Sequence, residues 1–285
     1  MTTVGLHGAG HMGSGLGWAL RAGGARVVTT LAGRSARTRK LVADAGLEPL
    51  DSLDAVVAAA DVVLTVVPPD AARKAAVALA EAARRTGTSP LMTDLNAIAP
   101  STVDDIERIL AEHDFVDGAI SGPPPTLEPG ALIYLSGDRA EDVAGLPWRH
   151  VEPVVVPGPA GRASAVKMCT ASVYKGTSAL LTQALRTAAA NGVLDVVIAD
   201  LTTGGFPNPA RRAAVAATKA HRFVPEMHEI AATQRAAGLP GLFTTMAEVY
   251  AQIAGTDLAG EDPEGVDRAM PPAEVIRRLG RPRSS

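Results

Sequence analysis

Hydrophobic positions follow two different patterns along this chain. Between residues 3 and 156 they fall in short runs, at 3–6, 26–31, 61–67, 90–93, 114–120, 131–136 and 151–156. Several of these, Asp61 to Val67 above all, are nearly continuous in Val and Leu, as strands of a parallel sheet buried on both faces require. Stretches at 14–22, 71–85 and 101–112 lie between them and carry Ala and Leu at helical spacing, with Ser101 placed as a cap. After Gly161 the strand pattern stops. Residues 163–190 read as one helix, free of proline and closed by Asn191-Gly192, a left-handed stop. At about 1.5 Å per residue it runs about 42 Å. Val166, Cys169, Val173, Leu180 and Ala184 recur at three- and four-residue steps and mark its expected buried stripe. Further helices are expected over 210–222, 225–237, 242–254 and 270–279, with 194–201 helical or a short apolar segment. The fold class is therefore α/β. An N-terminal Rossmann-type doubly wound sheet (1–160) precedes an all-α C-terminal domain (161–285), joined by a long interdomain helix.

The first strand leads at once into Gly8-Ala9-Gly10-His11-Met12-Gly13, and a helix follows. This is G-x-G-x-x-G in the strand–helix context that gives it meaning. Gly8 allows the tight turn, Gly10 lets a pyrophosphate approach the backbone, and Gly13 lets the helix pack on the sheet. The free N–H groups of the helix start favour phosphate. An enzyme using NAD usually ends its second strand with Asp or Glu, which takes the ribose 2′-hydroxyl. Here Leu31 is followed by Ala32-Gly33-Arg34-Ser35-Ala36-Arg37, with no carboxylate. Arg34 and Ser35 can hold a 2′-phosphate, and Arg37 adds charge or stacks on adenine. The cofactor expected is NADP (NADPH). A solvated basic helix start is the structural alternative.

Three more loops follow strands. Val67-Pro68-Pro69 ends the third apolar run, because proline stops ladder pairing. Asn96, in Asp94-Leu95-Asn96, either bonds the cofactor or stabilises its own turn. Ser121-Gly122-Pro123 offers a hydroxyl beside an open backbone, or is an ordinary proline turn. Near the start of the long helix, Lys167 stands in an apolar run, either as a desolvated acid/base or as a lysine that snorkels to the surface or pairs with a carboxylate. Thr170, Ala171 and Tyr174 follow at i+3, i+4 and i+7 and share its face. These three are the expected substrate contacts on the helix; Tyr174 or Ser178 either touches the substrate or caps the core. Gly176 in mid-helix costs about 1 kcal/mol against Ala and implies a close neighbour. Lys175 points elsewhere, as an anion holder or, slightly favoured, a solvated charge.

Composition narrows the function classes. The chain has 285 residues, 47% of them apolar and 20% charged, which describes a globular protein with ample core. Aromatics are only 3%, so the core is built from Ala, Val and Leu. A net charge of −3 argues against nucleic acid as a main partner. The single cysteine, Cys169, excludes an intrachain disulfide framework. No apolar run approaches the roughly 18 residues of a membrane span, and no signal-peptide layout is present. A cytoplasmic location is expected. Lys219, His221, Arg222, Glu226, His228 and Glu229 cluster without metal-ligand spacing, so no metal is expected and a solvated or dimer-facing surface is.

GAGHMG at 8–13, DVVLTVVPP at 61–69, DLNAIAP at 94–100, DGAISGPP at 117–124 and GPAGRASAVKMC at 158–169 together resemble the β-hydroxyacid dehydrogenase superfamily. That superfamily includes the 3-hydroxyisobutyrate and 6-phosphogluconate dehydrogenases. The second half, with FVPEMHEIAATQRAAGLP at 223–240, resembles the subgroup whose C-terminal helical domain has no assigned role. The resemblance implies a Rossmann domain joined to an all-helical one, usually in a homodimer. It implies that Lys167 matches the catalytic lysine, that Ser121-Gly122 forms the substrate-carboxylate loop, and that Asn96 lies by the nicotinamide. The chain departs from the family where Ala171 replaces an asparagine, where Thr170 replaces His or Asn, where Lys175 replaces a tyrosine, and where Pro123 replaces a glycine. The reading that results is an NADP-dependent oxidoreductase interconverting a small β-hydroxy acid and its carbonyl form. Lys167 is its general acid/base, and the substrate carries a carboxylate or other anion. An imine reductase on the same fold and a non-catalytic NADP(H)-binding protein are the alternatives.

Overall fold

The computed structural model describes residues 1–126, 129–261 and 265–283. These divide into two compact units, Met1–Met168 and Cys169–Ser285. The division falls inside the long helix, about two turns after its start.

The first unit is a doubly wound α/β sheet. Its strands are β1 (Thr3–His7), β2 (Arg26–Thr30), β3 (Glu48–Leu50), β4 (Val62–Thr65), β5 (Leu91–Asp94), β6 (Phe115–Ser121), β7 (Ala131–Ser136) and β8 (Val151–Val155). They lie side by side in the order β3-β2-β1-β4-β5-β6-β7-β8. All pairings are parallel except β6 with β7. The order reverses direction at β1, between β2 and β4, and such a switch point opens a crevice at the carboxyl ends of the strands. Helices α1 (His11–Ala22), α2 (Ala36–Asp44), α3 (Leu53–Ala59), α4 (Ala72–Thr86), α5 (Pro100–Ile109) and α6 (Ala140–Ala144) form the connections. Val62 and Leu64 of β4 pack with Leu6, Leu16 and Leu20 on one face of the sheet. Val63, between them, packs with Leu79, Met92 and Ile106 on the other. A strand buried on both faces has no polar positions to show, which is why 61–67 reads as a continuous apolar run.

The short strand β3 and the helix α3 went unread in the sequence; β3 has only three residues, two of them exposed. Ser101 is not a cap. Helix α5 starts one residue earlier, with Pro100 in its first turn and Ala99 as the N-cap. Proline suits that position because its missing N–H would have had no partner there.

The long helix α7 spans Arg162–Ala190. Its start is fixed from the sheet. Asp117 of β6 is fully buried, and its Oδ2 accepts hydrogen bonds from the Gly161 N–H (2.9 Å), the Ser164 N–H (3.0 Å) and the Ser136 hydroxyl (2.9 Å). Its Oδ1 accepts from the Ser164 hydroxyl at 2.6 Å, and the Ala163 N–H donates to Ser136 Oγ at 2.9 Å. The unsatisfied N–H groups of a helix start are normally met by a local cap. Here a carboxylate from another element meets them, at the end of the helix dipole that favours negative charge. Burial raises the Asp117 pKa, and the hydrogen bonds from Ser164, Ser136 and Gly161 oppose that without cancelling it.

The second unit holds the rest of α7 and the helices α8 (Leu194–Thr203), α9 (Pro209–Ala217), α10 (Ala220–Gln234), α11 (Gly241–Ala254) and α12 (Pro272–Leu279). The expected helix 210–222 stops at Ala217, and a new one begins at Ala220 and passes through Pro225, which therefore lies inside α10 rather than at its start. The stripe expected to be buried on α7 is the outer one. Val173 and Leu180 are 63% and 61% exposed, and Cys169 and Ala184 are exposed as well. The buried positions are Ala163, Ser164, Met168, Ala171, Gly176, Ala179, Leu181, Thr182, Leu185 and Ala188. Alanine and small apolar residues surround the helix on every side, so spacing alone does not fix which face turns inward. Gly176 does have a close neighbour: a methyl there would lie 3.4 Å from the Met246 sulfur and 3.6 Å from the Phe243 ring.

Asp117→Ala should destabilise the first unit by about 3–5 kcal/mol, since it strands buried donors. Urea unfolding followed by tryptophan fluorescence measures this, because both tryptophans, Trp18 and Trp148, lie in that unit. A loss below about 1 kcal/mol would mean that the helix start finds other partners.

Candidate active site

The predicted cofactor residues of the first unit gather at the carboxyl edge of the sheet. Gly8 follows β1 with φ +102°, a left-handed conformation that a side chain would strain. A methyl on Gly8 would lie 2.1 Å from the Val66 carbonyl oxygen, and one on Gly13 would lie 2.2 Å from the Gly8 carbonyl oxygen. Both glycines are demanded by contacts within the chain. Gly10 differs, because a methyl there would meet nothing within 4 Å. Its open face lies at the start of α1, for which Gly10 is the N-cap, with no side chain capping it and no acidic residue in the first turn. Free N–H groups, a positive dipole end and an unobstructed backbone are what a pyrophosphate needs. The residues present therefore fit a dinucleotide.

The loop after β4 is stitched to its neighbours. The Val66 N–H donates to the His7 carbonyl at 2.8 Å. The Val67 N–H donates to Asn96 Oδ1 at 2.7 Å. Asn96 is 2% exposed. Its Nδ2 donates to Asp94 Oδ2 at 2.7 Å, and its backbone N–H donates to Asp94 Oδ1 at 2.8 Å. Asn96 thus ties the β5 loop to Val67 and Pro68, and both ends of its amide are engaged within the protein. These bonds hold the edge in shape.

Beyond β2, Ser35 is the N-cap of α2 and accepts a hydrogen bond from the Thr38 N–H. Arg34 is half-buried and Arg37 exposed. His7, at the end of β1, was not singled out in the sequence. Its Nδ1 is buried and has no hydrogen-bond partner. Burial first, and then the Arg34 guanidinium, bring its pKa down to about 4, so the ring is neutral at physiological pH. A neutral imidazole adds no charge to this edge, where Arg34 remains the cation beside β1. The signal in the sequence was a histidine placed directly before the glycine motif.

Ser121 ends β6 and is half-buried, and Gly122 and Pro123 are exposed. Gly122 has φ +110°, and a methyl there would lie 2.1 Å from the Gly130 carbonyl oxygen. The crossing of the loop therefore requires glycine by itself. On α7, Lys167 is half-buried, one turn beyond Ser164 and its bond to Asp117. Desolvation lowers the Lys167 pKa. Thr170 is half-buried, Ala171 is 2% exposed and Tyr174 is 64% exposed. Lys175 is not a solvated charge. Its side chain is 16% exposed and pairs with Glu226, which is 8% exposed, while its ammonium lies 4.8 Å from the centre of the Phe223 ring.

The sequence profile of the NAD binding domain of 6-phosphogluconate dehydrogenase matches residues 3–153. A domain of unknown function, DUF1932, matches residues 188–253. An uncharacterized 28.5 kDa protein of Methanothermus fervidus is 26% identical over 174 residues, 60% of this chain. The match spans 65% of that relative's length. A conserved protein of unknown function, described as structurally similar to 3-hydroxyacid dehydrogenases, is 28% identical, with a TM-score of 0.66 over 88% of this chain and 96% of that one. The 3-hydroxyisobutyrate dehydrogenase of Mycobacterium tuberculosis, solved with L-serine, has a TM-score of 0.68 over 98% of this chain and 99% of its own. At 20% identity it speaks for the fold alone.

Arg34→Ala should weaken NADPH binding at least tenfold, a charge-assisted hydrogen bond being worth about 1.5–3 kcal/mol, and leave NADH binding nearly unchanged. Fluorescence titration of both dinucleotides checks this. Equal losses for the two would remove the 2′-phosphate role of Arg34.

Proposed function

This chain belongs to the family defined by the NAD binding domain of 6-phosphogluconate dehydrogenase, in the 3-hydroxyacid dehydrogenase-like superfamily. From that premise we propose that it is an NADP-dependent oxidoreductase acting on a small β-hydroxy acid and its carbonyl form. The observation that carries the reading is Lys167, a half-buried amine on a helix whose start is held by the sheet through Asp117.

NADP, when bound, supplies the hydride acceptor or donor. Gly8 to Gly13 and the start of α1 would hold its pyrophosphate, Arg34 and Ser35 its 2′-phosphate, and the Val67-Pro68 loop its inner edge. Ser121 to Pro123 would take the substrate carboxylate. Lys167 moves the proton. Its amine removes the hydroxyl proton during oxidation, and its ammonium returns a proton to the carbonyl oxygen during reduction. Desolvation favours the neutral amine, which brings the exchange closer to neutral pH.

Lys167→Met should lower kcat/KM by about 10²–10⁴-fold while the NADPH dissociation constant stays the same. In the intact enzyme the oxidation rate should rise with pH through the lowered lysine pKa, and the reduction rate should fall over the same range. A panel of keto acids, aldehydes and cyclic imines, assayed with NADPH at 340 nm, tests the substrate class. Turnover of imines alone would move the assignment to imine reduction. Binding without any turnover would leave only a dinucleotide-binding protein.

The protein also works as a homodimer in this reading. Helix α8 carries Leu194, Val196, Val197, Ile198 and Leu201, yet none of its residues is buried within the chain. Val196 is 72% exposed, and Val173 and Leu180 of α7 are exposed too. Apolar surface of this extent is normally covered, and a second copy carries the same surface, as an isologous contact requires. Light scattering should give twice the 29.2 kDa chain mass, and Val196→Asp should shift the protein to monomer. A wild-type mass of one chain would exclude the dimer.

A further inference from the structure

The second unit contains a pocket of about 580 Å³ that the dinucleotide chemistry does not use. Five cations line it, Lys175, Arg211, Arg212, Lys219 and Arg268, and no Asp or Glu is among the described residues of its wall. This concentration of charge stands out in a chain whose net charge is −3. Lys175 is already paired with Glu226. Arg211, Arg212 and Arg268 make no ion pair with any described residue. The nine-residue helix α9 also begins here. Asn208, on the pocket wall, is its N-cap, with no cap bond from its side chain and no acidic residue in the first turn. The wall also carries apolar surface, from Tyr174, Val215 and Phe223.

We propose that this pocket binds a small organic phosphate, with the phosphoryl group against Arg211, Arg212 and Lys219 and the carbon part against Tyr174, Val215 and Phe223. A single carboxylate would leave most of this charge unmatched. A phosphate monoester carries about −1.5 to −2 at pH 7 and three acceptor oxygens, and guanidinium forks bind such oxygens two at a time. The volume lies within the range of small-molecule sites, about 300–1,000 Å³. The proposal concerns the second unit alone and stands whether or not Lys167 is the acid/base.

Calorimetric titration of the full-length protein with inorganic phosphate and with phenyl phosphate, at constant ionic strength, tests it. Phenyl phosphate should bind at least tenfold more tightly than inorganic phosphate. The double substitution Arg211→Gln with Arg212→Gln should weaken phenyl phosphate at least tenfold, whereas Arg34→Gln should leave it unchanged. Thermal melts check the fold of both variants, and among the described residues neither Arg211 nor Arg212 has an ion partner to lose. Loss of binding in the Arg34 variant alone would place the phosphate at the dinucleotide motif and overturn the proposal. So would binding that the double variant retains, or phenyl phosphate no tighter than inorganic phosphate.

Discussion

The carboxylate of Asp117 is the interaction on which the candidate chemistry depends. It takes the place of a local cap on α7, and it does so from the middle of a sheet. The helix start is therefore set by the position of β6. Lys167 lies one turn beyond Ser164, whose N–H and hydroxyl both donate to Asp117, so the reach of the amine is set by the same contact. A helix entered through a flexible loop would leave that lysine free to drift, and misplacement by about 1 Å is costly to proton transfer and orientation. Burying a carboxylate is unfavourable, and the raised pKa of Asp117 records it. The four hydrogen bonds reduce that cost without removing it.

The nucleotide edge rests on steric requirements of a different kind. Gly8 and Gly13 are fixed by carbonyl oxygens about two ångströms from where a methyl would be, and Asn96 spends both ends of its amide holding Val67 and Asp94. These residues build the rim. The open face of Gly10, the start of α1 and Arg34 beside a neutral His7 are the groups to which the proposed function assigns the cofactor. Shaping and binding are thus divided between different residues, and a motif match alone does not separate them.

Local constraints were legible in the sequence, and distant ones were not. The glycine motif, the apolar strands and the alternation of strand with helix are written within a few neighbouring residues, and the sheet followed from them. The phase of α7 was not legible, because Val173 and Ala171 are both apolar and only one of them is buried. The role of Asp117 depends on Ser136, Gly161 and Ser164, the last 47 positions away. A carboxylate inside the apolar run FVDGAIS was the available signal, and it needed a partner that spacing does not name. Lys175 and Glu226 show the same limit, since each reads as an ordinary helix charge until the fold brings them together.

Charge is distributed unevenly between the units, and this bears on what each can recognise. In the first unit the cation at the carboxyl edge is concentrated near β2, where Arg34 lies close enough to His7 to depress its protonation. In the second unit a buried pair, Lys175 with Glu226, underlies a wall of arginines. A buried pair of this kind contributes little net stability compared with apolar packing. What the geometry does show is an ammonium paired with Glu226 and held 4.8 Å from the centre of the Phe223 ring. The pair is a costly arrangement to bury, and it leaves the lysine at the wall of the arginine-lined pocket.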